Sequence, residues 1–376
     1  MFTNVYMVMK RLLYIFAVVF LLFSCTGKDI FQIEGKLSNL EDAILYVVYE
    51  SLETIQIDTV LIDSKGRFSV FHELGNGELQ VISFYDNDRN RLFTVYPEIG
   101  KPVMITGDAT YPELLQIKGG RINNLLSDYK KKTSSIFKEM ADIQRNNRGN
   151  SFFKSSGLIE LTNLKRELRI VLQDFVAKNP KEEASAVLIS EFFSNPDEIE
   201  QAEDLLDILS PELKDFFLVK ELRAEIEKVK NTKVGSKAPN FRVTNIYGQT
   251  ITVDTFANKH FILAFTALWC NMCQTEVLML DEIAGKYSSD SLEILLISLD
   301  DALDDVREVI RQDTIHWNLV VDSAGQAIQL FDLYNVNSLP KCFLVDKDGT
   351  IMLNTMNREE LMQMVDEIMK DEDDAD

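Results

Sequence analysis

Apolar and polar residues alternate with a period of two through the first third of the chain. Phe31, Ile33 and Leu37 stand between polar neighbours, and AILYVVYE is rich in β-branched and aromatic residues. The runs RFSVF, LQVISFY, RLFTVY and PVMIT continue the pattern, separated by polar or Gly/Pro clusters, and Asp63-Ser64-Lys65-Gly66 supplies a turn. Six or seven short strands at this spacing predict a small β-sandwich or barrel over residues 25–118. It carries no catalytic constellation.

The period then changes to that of a helix. In ELTNLKRELRIVLQDFV, Leu161, Leu164, Leu168, Val171, Leu172 and Phe175 fall on one face, and Asn179-Pro180 ends the run. Ser210-Pro211 reads as a serine cap with proline at the first helical position, and Leu213, Phe216, Phe217 and Ile226 mark the face that follows. A helical region over 119–230 results, its stripes being packing surfaces and Lys130–Lys132 a solvated face.

From 231 to 370 strands and helices alternate. FRVTNIYGQTITV predicts a hairpin, and FILAFTA and LEILLISL read as strands buried on both faces. A helix starts near Cys270, ALDDVREVIRQ is helical, and WNLVVD is another short strand. Ser323 with Gln326, and Asn357 with Glu360, read as capping boxes before the last two helices. This order predicts an open α/β sheet. Residues 371–376 form an acidic tail.

Charge narrows the partners. The formal net charge is −21, with 39 basic and 60 acidic residues. Nucleic acid and anionic lipid heads are excluded as ligands by repulsion. At the start, Lys10 and Arg11 precede an apolar run from Leu12 to Phe23, too short for a membrane span and suited to a signal peptide over residues 1–24. The run ends in LLFSC, which resembles the lipobox of bacterial lipoproteins. That resemblance implies cleavage before Cys25, acylation there, and a chain exported and held at the membrane by lipid. An uncleaved N-terminal anchor is the other reading.

Three further cysteines remain, Cys270, Cys273 and Cys342, an odd number that does not make a disulfide framework. The stretch ALWCNMCQTE spaces two of them by two residues at a predicted strand-to-helix junction. A zinc site needs four suitable ligands, and His72, His260 and His316 are not at paired spacing. Two inert thiols would leave the rest of the motif unexplained. As a redox pair, Cys270 near a helix N-terminus attacks as thiolate and Cys273, one turn below, resolves the mixed disulfide.

Residues 234–370 resemble the thioredoxin superfamily, and in particular the membrane-tethered thiol–disulfide oxidoreductases of bacterial envelopes, the cytochrome-c-maturation and AhpC/TSA-like group. The likeness is carried by VGSKAPNF, WCNMC, Glu276, LEILLISLD, and Leu339-Pro340 followed by CFLVDKDG. It implies a thioredoxin-like fold, a cis bond before Pro340, substrate docking by Pro340 with Leu339 and Trp269, and proton handling by Glu276. It further implies no cofactor, protein thiols or disulfides of the envelope as substrates, and electrons from a membrane or thioredoxin-like donor. The acidic residue that thioredoxin keeps on the strand before its motif is Ala264 here, and relatives commonly have proline where Met272 stands. The preceding β region resembles the domain found ahead of the redox domain in lipoproteins of the Bacteroidetes type. Cys342 reads either as a third thiol or as a small buried hydrophobe.

The function expected is disulfide exchange, as a reductant. Two others stay open: a lipoprotein adaptor with a passive redox fold, and a peroxiredoxin. The second needs threonine or serine three residues before its reactive cysteine, where Ala267 stands.

Overall fold

The computed structural model describes residues 30–40, 42–50, 55–73, 80–147, 155–193, 198–300, 306, 317–322 and 325–373. The signal-peptide reading, Cys25, nearly all of ALDDVREVIRQ, and Ser323 lie outside the described residues. The chain divides into two units, one of residues 1–192 with 205–216 and the other of 193–204 with 217–376.

The first unit opens with eight strands. They are β1 (Ile30–Ser38), β2 (Ile44–Glu50), β3 (Ile55–Leu61), β4 (Arg67–Glu73), β5 (Val81–Tyr85), β6 (Arg91–Val95), β7 (Val103–Asp108) and β8 (Gln116–Lys118). They form two four-stranded sheets, ordered β4-β1-β7-β8 and β3-β2-β5-β6, all antiparallel except β1 beside β7. Inward residues of both sheets, among them Ile33, Val70, Leu45 and Phe84, make one apolar core, as expected of a sandwich. Two strands go beyond the sequence expectation. β3 is a sheet edge with almost every side chain exposed, and β8 has three residues, too few to show a period. The Asp63 turn forms as expected: Asp63 Oδ1 accepts the N–H groups of Lys65 and Arg67, and Gly66 takes φ 74°.

Helices α1 (Arg121–Lys132), α2 (Ser134–Asn147), α3 (Ser155–Lys178) and α4 (Glu183–Phe192) follow. The stripe anticipated on α3 buries Leu164, Leu168, Leu172 and Phe175, and Asn179 closes that helix by donating to the Phe175 carbonyl. Helix α5 (Glu203–Ile208) precedes the Ser210-Pro211 signal, which starts only a 3-10 turn in which Ser210 makes no side-chain cap. The long helix α6 (Phe217–Asn231) begins six residues later. Proline at the first position fits either kind of turn, so the signal does not tell them apart.

In the second unit the hairpin β9 (Arg242–Thr244) and β10 (Thr250–Thr252) leads into a five-stranded sheet. Its strands are β11 (His260–Thr266), β12 (Leu292–Ser298), β13 (Asn318–Val321), β14 (Lys341–Val345) and β15 (Ile351–Thr355), ordered β13-β12-β11-β14-β15. β11, β12 and β13 are parallel, while β14 and β15 run antiparallel. Helices α7 (Asn271–Lys286) and α9 (Arg358–Asp373) cover one face through Met279, Leu280, Ile283, Leu361 and Val365. Helix α8 (Gln326–Leu333), with the hairpin, covers the other through Leu330, Phe331, Val243 and Ile251. β11 is therefore buried at all seven positions, which is why FILAFT is a continuous apolar run.

Three cap details differ from expectation. Gly325, in left-handed conformation, is the N-cap of α8, and Asp322 Oδ1 accepts the Ala327 N–H. Gln326 reaches instead to the Thr244 N–H. At α9, Asn357 caps Glu359 N–H, but Glu360 turns away to the Thr355 hydroxyl, so only half of that box forms. Helix α9 also runs to Asp373, three residues into the segment expected to be a tail.

Candidate active site

β11 ends at Thr266, and three residues carry the chain to Cys270, the N-cap of α7. Asp300, just past β12, holds this connection. Its Oδ2 accepts the Leu268 N–H at 2.9 Å and the Ser298 hydroxyl at 2.5 Å. Parallel pairing of β11 with β12 brings the ends of the two strands together, so a carboxylate after one can satisfy a backbone donor after the other.

Cys270 and Cys273 are joined by a disulfide, with Cα atoms 5.3 Å apart. The Cys273 N–H points at Cys270 Sγ, 3.2 Å away. This N–H belongs to the first turn of the helix, where backbone donors face its N-terminal end. Cys270 keeps 8% of its surface exposed and Cys273 1%. Both are buried, Cys273 more completely than Cys270. Trp269, 71% exposed, and Met272 flank Cys270 as apolar surface.

Leu339–Pro340 is cis. Pro340 is buried and Leu339 half-buried. The antiparallel pairing of β14 with β11 ends at Phe265–Lys341, so Pro340 stands at the end of the sheet from which the cysteine loop departs.

Glu276 lies one turn beyond Cys273 on the buried face of α7 and is 7% exposed. Burial raises its pKa above the usual carboxylate range, opposed by a hydrogen bond from Cys342 and by the charge of Arg358. Cys342 Sγ donates to Glu276 Oε1 at 3.2 Å. Complete burial, then the neighbouring carboxylate, push the Cys342 thiol well up. Cys342 pairs across the sheet with Ala264 on one side and Thr355 on the other. Ala264 is small, and the carboxylate arrives from the helix above.

A cavity of about 20 Å³ lies beside Cys273, lined in part by Thr266, Ser298 and Asp300. It is large enough for one water molecule, with polar partners to hold it. In the sequence Asp300 stands only at the end of the LEILLISLD run. The available signal was an acidic residue at the carboxyl end of a strand neighbouring the motif strand, where α/β sheets place their sites. Among the described residues, no three or more His, Cys, Asp or Glu side chains gather as a metal site, and no helix is long and apolar enough to cross a membrane.

A central β11 feeding a helix headed by a bonded Cys-x-x-Cys pair, with a cis-proline at the same sheet end, defines a thioredoxin-like redox domain. The profile of the AhpC/TSA family matches residues 234–353. The thiol-disulfide oxidoreductase ResA of Bacillus anthracis is 31% identical over 137 residues, 36% of this chain and 76% of that protein. ResA of Bacillus thuringiensis subsp. konkukian (strain 97-27) is 29% identical over 143 residues, 38% of this chain and 80% of that protein. A thiol-disulfide oxidoreductase from Bacteroides fragilis NCTC 9343 is similar over 35% of this chain and 99% of its own, at 26% identity and a TM-score of 0.32. The chain belongs to the thiol–disulfide oxidoreductases of the thioredoxin superfamily, and its activity is oxidoreduction of disulfides.

Proposed function

We propose that the protein reduces protein disulfides in the bacterial cell envelope, with Cys270 as nucleophile and Cys273 as resolving thiol. The observation carrying this is the asymmetry of the pair: Cys270 caps the helix and keeps a little exposure, while Cys273 is sealed beneath it. In the reduced state the Cys270 thiolate attacks a substrate disulfide, forming one S–S bond and releasing one substrate thiolate, which takes up a proton. Cys273 then gives its proton to Glu276 and attacks Cys270 Sγ. The intramolecular disulfide closes and the second substrate thiolate leaves, protonated in turn. Two electrons pass to the substrate. Pro340, Leu339 and Trp269 dock the peptide around the bond.

Electrostatics supports this direction. Strong oxidants hold a greatly stabilised thiolate. Here the helix N-terminus favours the Cys270 thiolate, but Cys273 is buried and the Glu276 carboxylate lies one turn away on the same face. The dithiol is thereby less stabilised and gives up its electrons. We expect a reduction potential nearer the about −270 mV of thioredoxin than the about −120 mV of DsbA. Regeneration needs a dithiol donor, from the membrane or from another thioredoxin-like protein. Acylation at Cys25 would hold the chain at the membrane, in keeping with the basic pair, the apolar run and LLFSC.

The test is substitution. Cys270→Ser abolishes reduction of insulin disulfides, and Cys273→Ser accumulates mixed disulfides with its substrates. A wild-type protein that reduces nothing and exchanges with no thiol leaves the adaptor reading in its place.

A further inference from the structure

The pair formed by Cys342 and Glu276 has no counterpart in the chemistry of the two motif cysteines. We infer that Cys342 is a positioning residue: its S–H, 3.2 Å from Glu276 Oε1, fixes the orientation of that carboxylate and keeps it charged and ready to take a proton. The inference rests on the role of proton acceptor proposed for Glu276.

The geometry separates this from simple filling of space. A small apolar residue would serve as well as cysteine in packing between Ala264 and Thr355 on the sheet. It would leave a buried carboxylate oxygen without its donor, and an unsatisfied buried acceptor costs more than the hydrogen bond contributes when made. The thiol is suited to the task because it donates without ionising: burial and the adjacent carboxylate hold it protonated throughout the working range. Its proton is therefore still present when Glu276 is charged.

The other groups facing the carboxylate are few. Cys273 shares its helix face, Arg358 on α9 acts on it through charge, and Lys341 on β14 acts on the thiol. Arg358 favours the ionised form, as the thiol does. Burial opposes both, which leaves the protonation of Glu276 sensitive to one hydrogen bond.

The experiment uses the reduced full-length chain, labelled with carbon-13 at glutamate carboxyls, and follows Glu276 by NMR from acid to neutral pH. The pH profile of mixed-disulfide resolution is recorded beside it. Cys342→Ala removes the donor and is expected to move the Glu276 midpoint upward by about one pH unit, with the rate profile following. Cys342→Ser keeps a donor and is expected to restore both. Cys342→Val serves if the alanine variant does not fold. An unmoved midpoint in the donor-less variants, or a serine variant displaced as far as alanine, overturns the inference in favour of packing alone. A displaced midpoint with an unmoved rate profile leaves the Cys342–Glu276 contact standing and overturns the proton-acceptor role of Glu276 instead.

Discussion

The backbone N–H of Cys273 is shared between the carbonyl of Cys270, at 3.0 Å, and its sulfur, at 3.2 Å. That N–H is free to reach sulfur because Cys270 is the N-cap residue, with extended backbone, and the helix proper starts at Asn271. In the reduced enzyme the same donor meets a thiolate, and the helix dipole adds to it. The helix N-terminus is expected to make the Cys270 thiol of the reduced protein ionise more readily than an ordinary thiol. The rate of iodoacetamide alkylation against pH measures this. A thiol that ionises only above its ordinary value removes the nucleophile from the scheme.

Replacing Glu276 by glutamine removes the proposed proton acceptor while keeping its shape. Attack by Cys270 should survive, and resolution by Cys273 should slow by about 10²–10⁴-fold, the usual worth of a positioned base. The mixed disulfide then persists in rapid-quench samples of the Glu276→Gln protein. Equal resolution rates in the two proteins would show that solvent takes the proton.

Glu276 also makes stability depend on pH, with a sign opposite to that of a salt-bridged carboxylate. Its folded pKa is raised, so between the unfolded value of about 4.3 and the folded one the native state binds more protons than the unfolded chain. Stability from this group is present at acid pH and falls as pH rises through that window. The melting temperature of Glu276→Gln relative to wild type should therefore climb from pH 4 to pH 7. A difference that shrinks over this range contradicts the raised value.

Asp300 accepts two donors that have few other choices, the N–H of Leu268 and the hydroxyl of Ser298. Asp300→Ala leaves both without that acceptor and should cost about 1–3 kcal/mol in urea unfolding. Asp300→Asn keeps one carbonyl oxygen and should recover part of the loss. An alanine variant as stable as wild type would mean that water replaces the carboxylate in the neighbouring cavity.

In the first unit, Gly35 pairs across the sheet with Phe68, whose ring lies where a Cβ would be, 2.0 Å from its nearest atoms. Gly35→Ala forces that ring out of the sandwich core and is expected to cost about 1–3 kcal/mol, read as a lowered melting temperature. No loss would mean that Phe68 has another rotamer of equal energy.

Much of this molecule was legible along the chain because local rules govern it. Period-two alternation marked the sandwich strands, since each had one face to bury. Continuous apolar runs marked β11 and β12, because helices cover both sides of their sheet. The Cys-x-x-Cys spacing at a strand-to-helix junction places the two sulfurs within one helical turn. Cap signals failed at Ser210, where a 3-10 turn formed, and at Glu360, where the Thr355 hydroxyl five residues back competed for the side chain. The edge strand β3 escaped because its side chains bury so little.

What the sequence determined by itself was the pair of cysteines, the strand before them and the helix that starts upon them, all set by residues close together in the chain. Only tertiary structure decided that Glu276 is buried and that Cys342, 66 residues further on, donates to it. It alone brought Asp300 against the Leu268 N–H. Those contacts depend on which strands lie side by side and in what register, and register arises from the packing of whole faces rather than from any short stretch of residues.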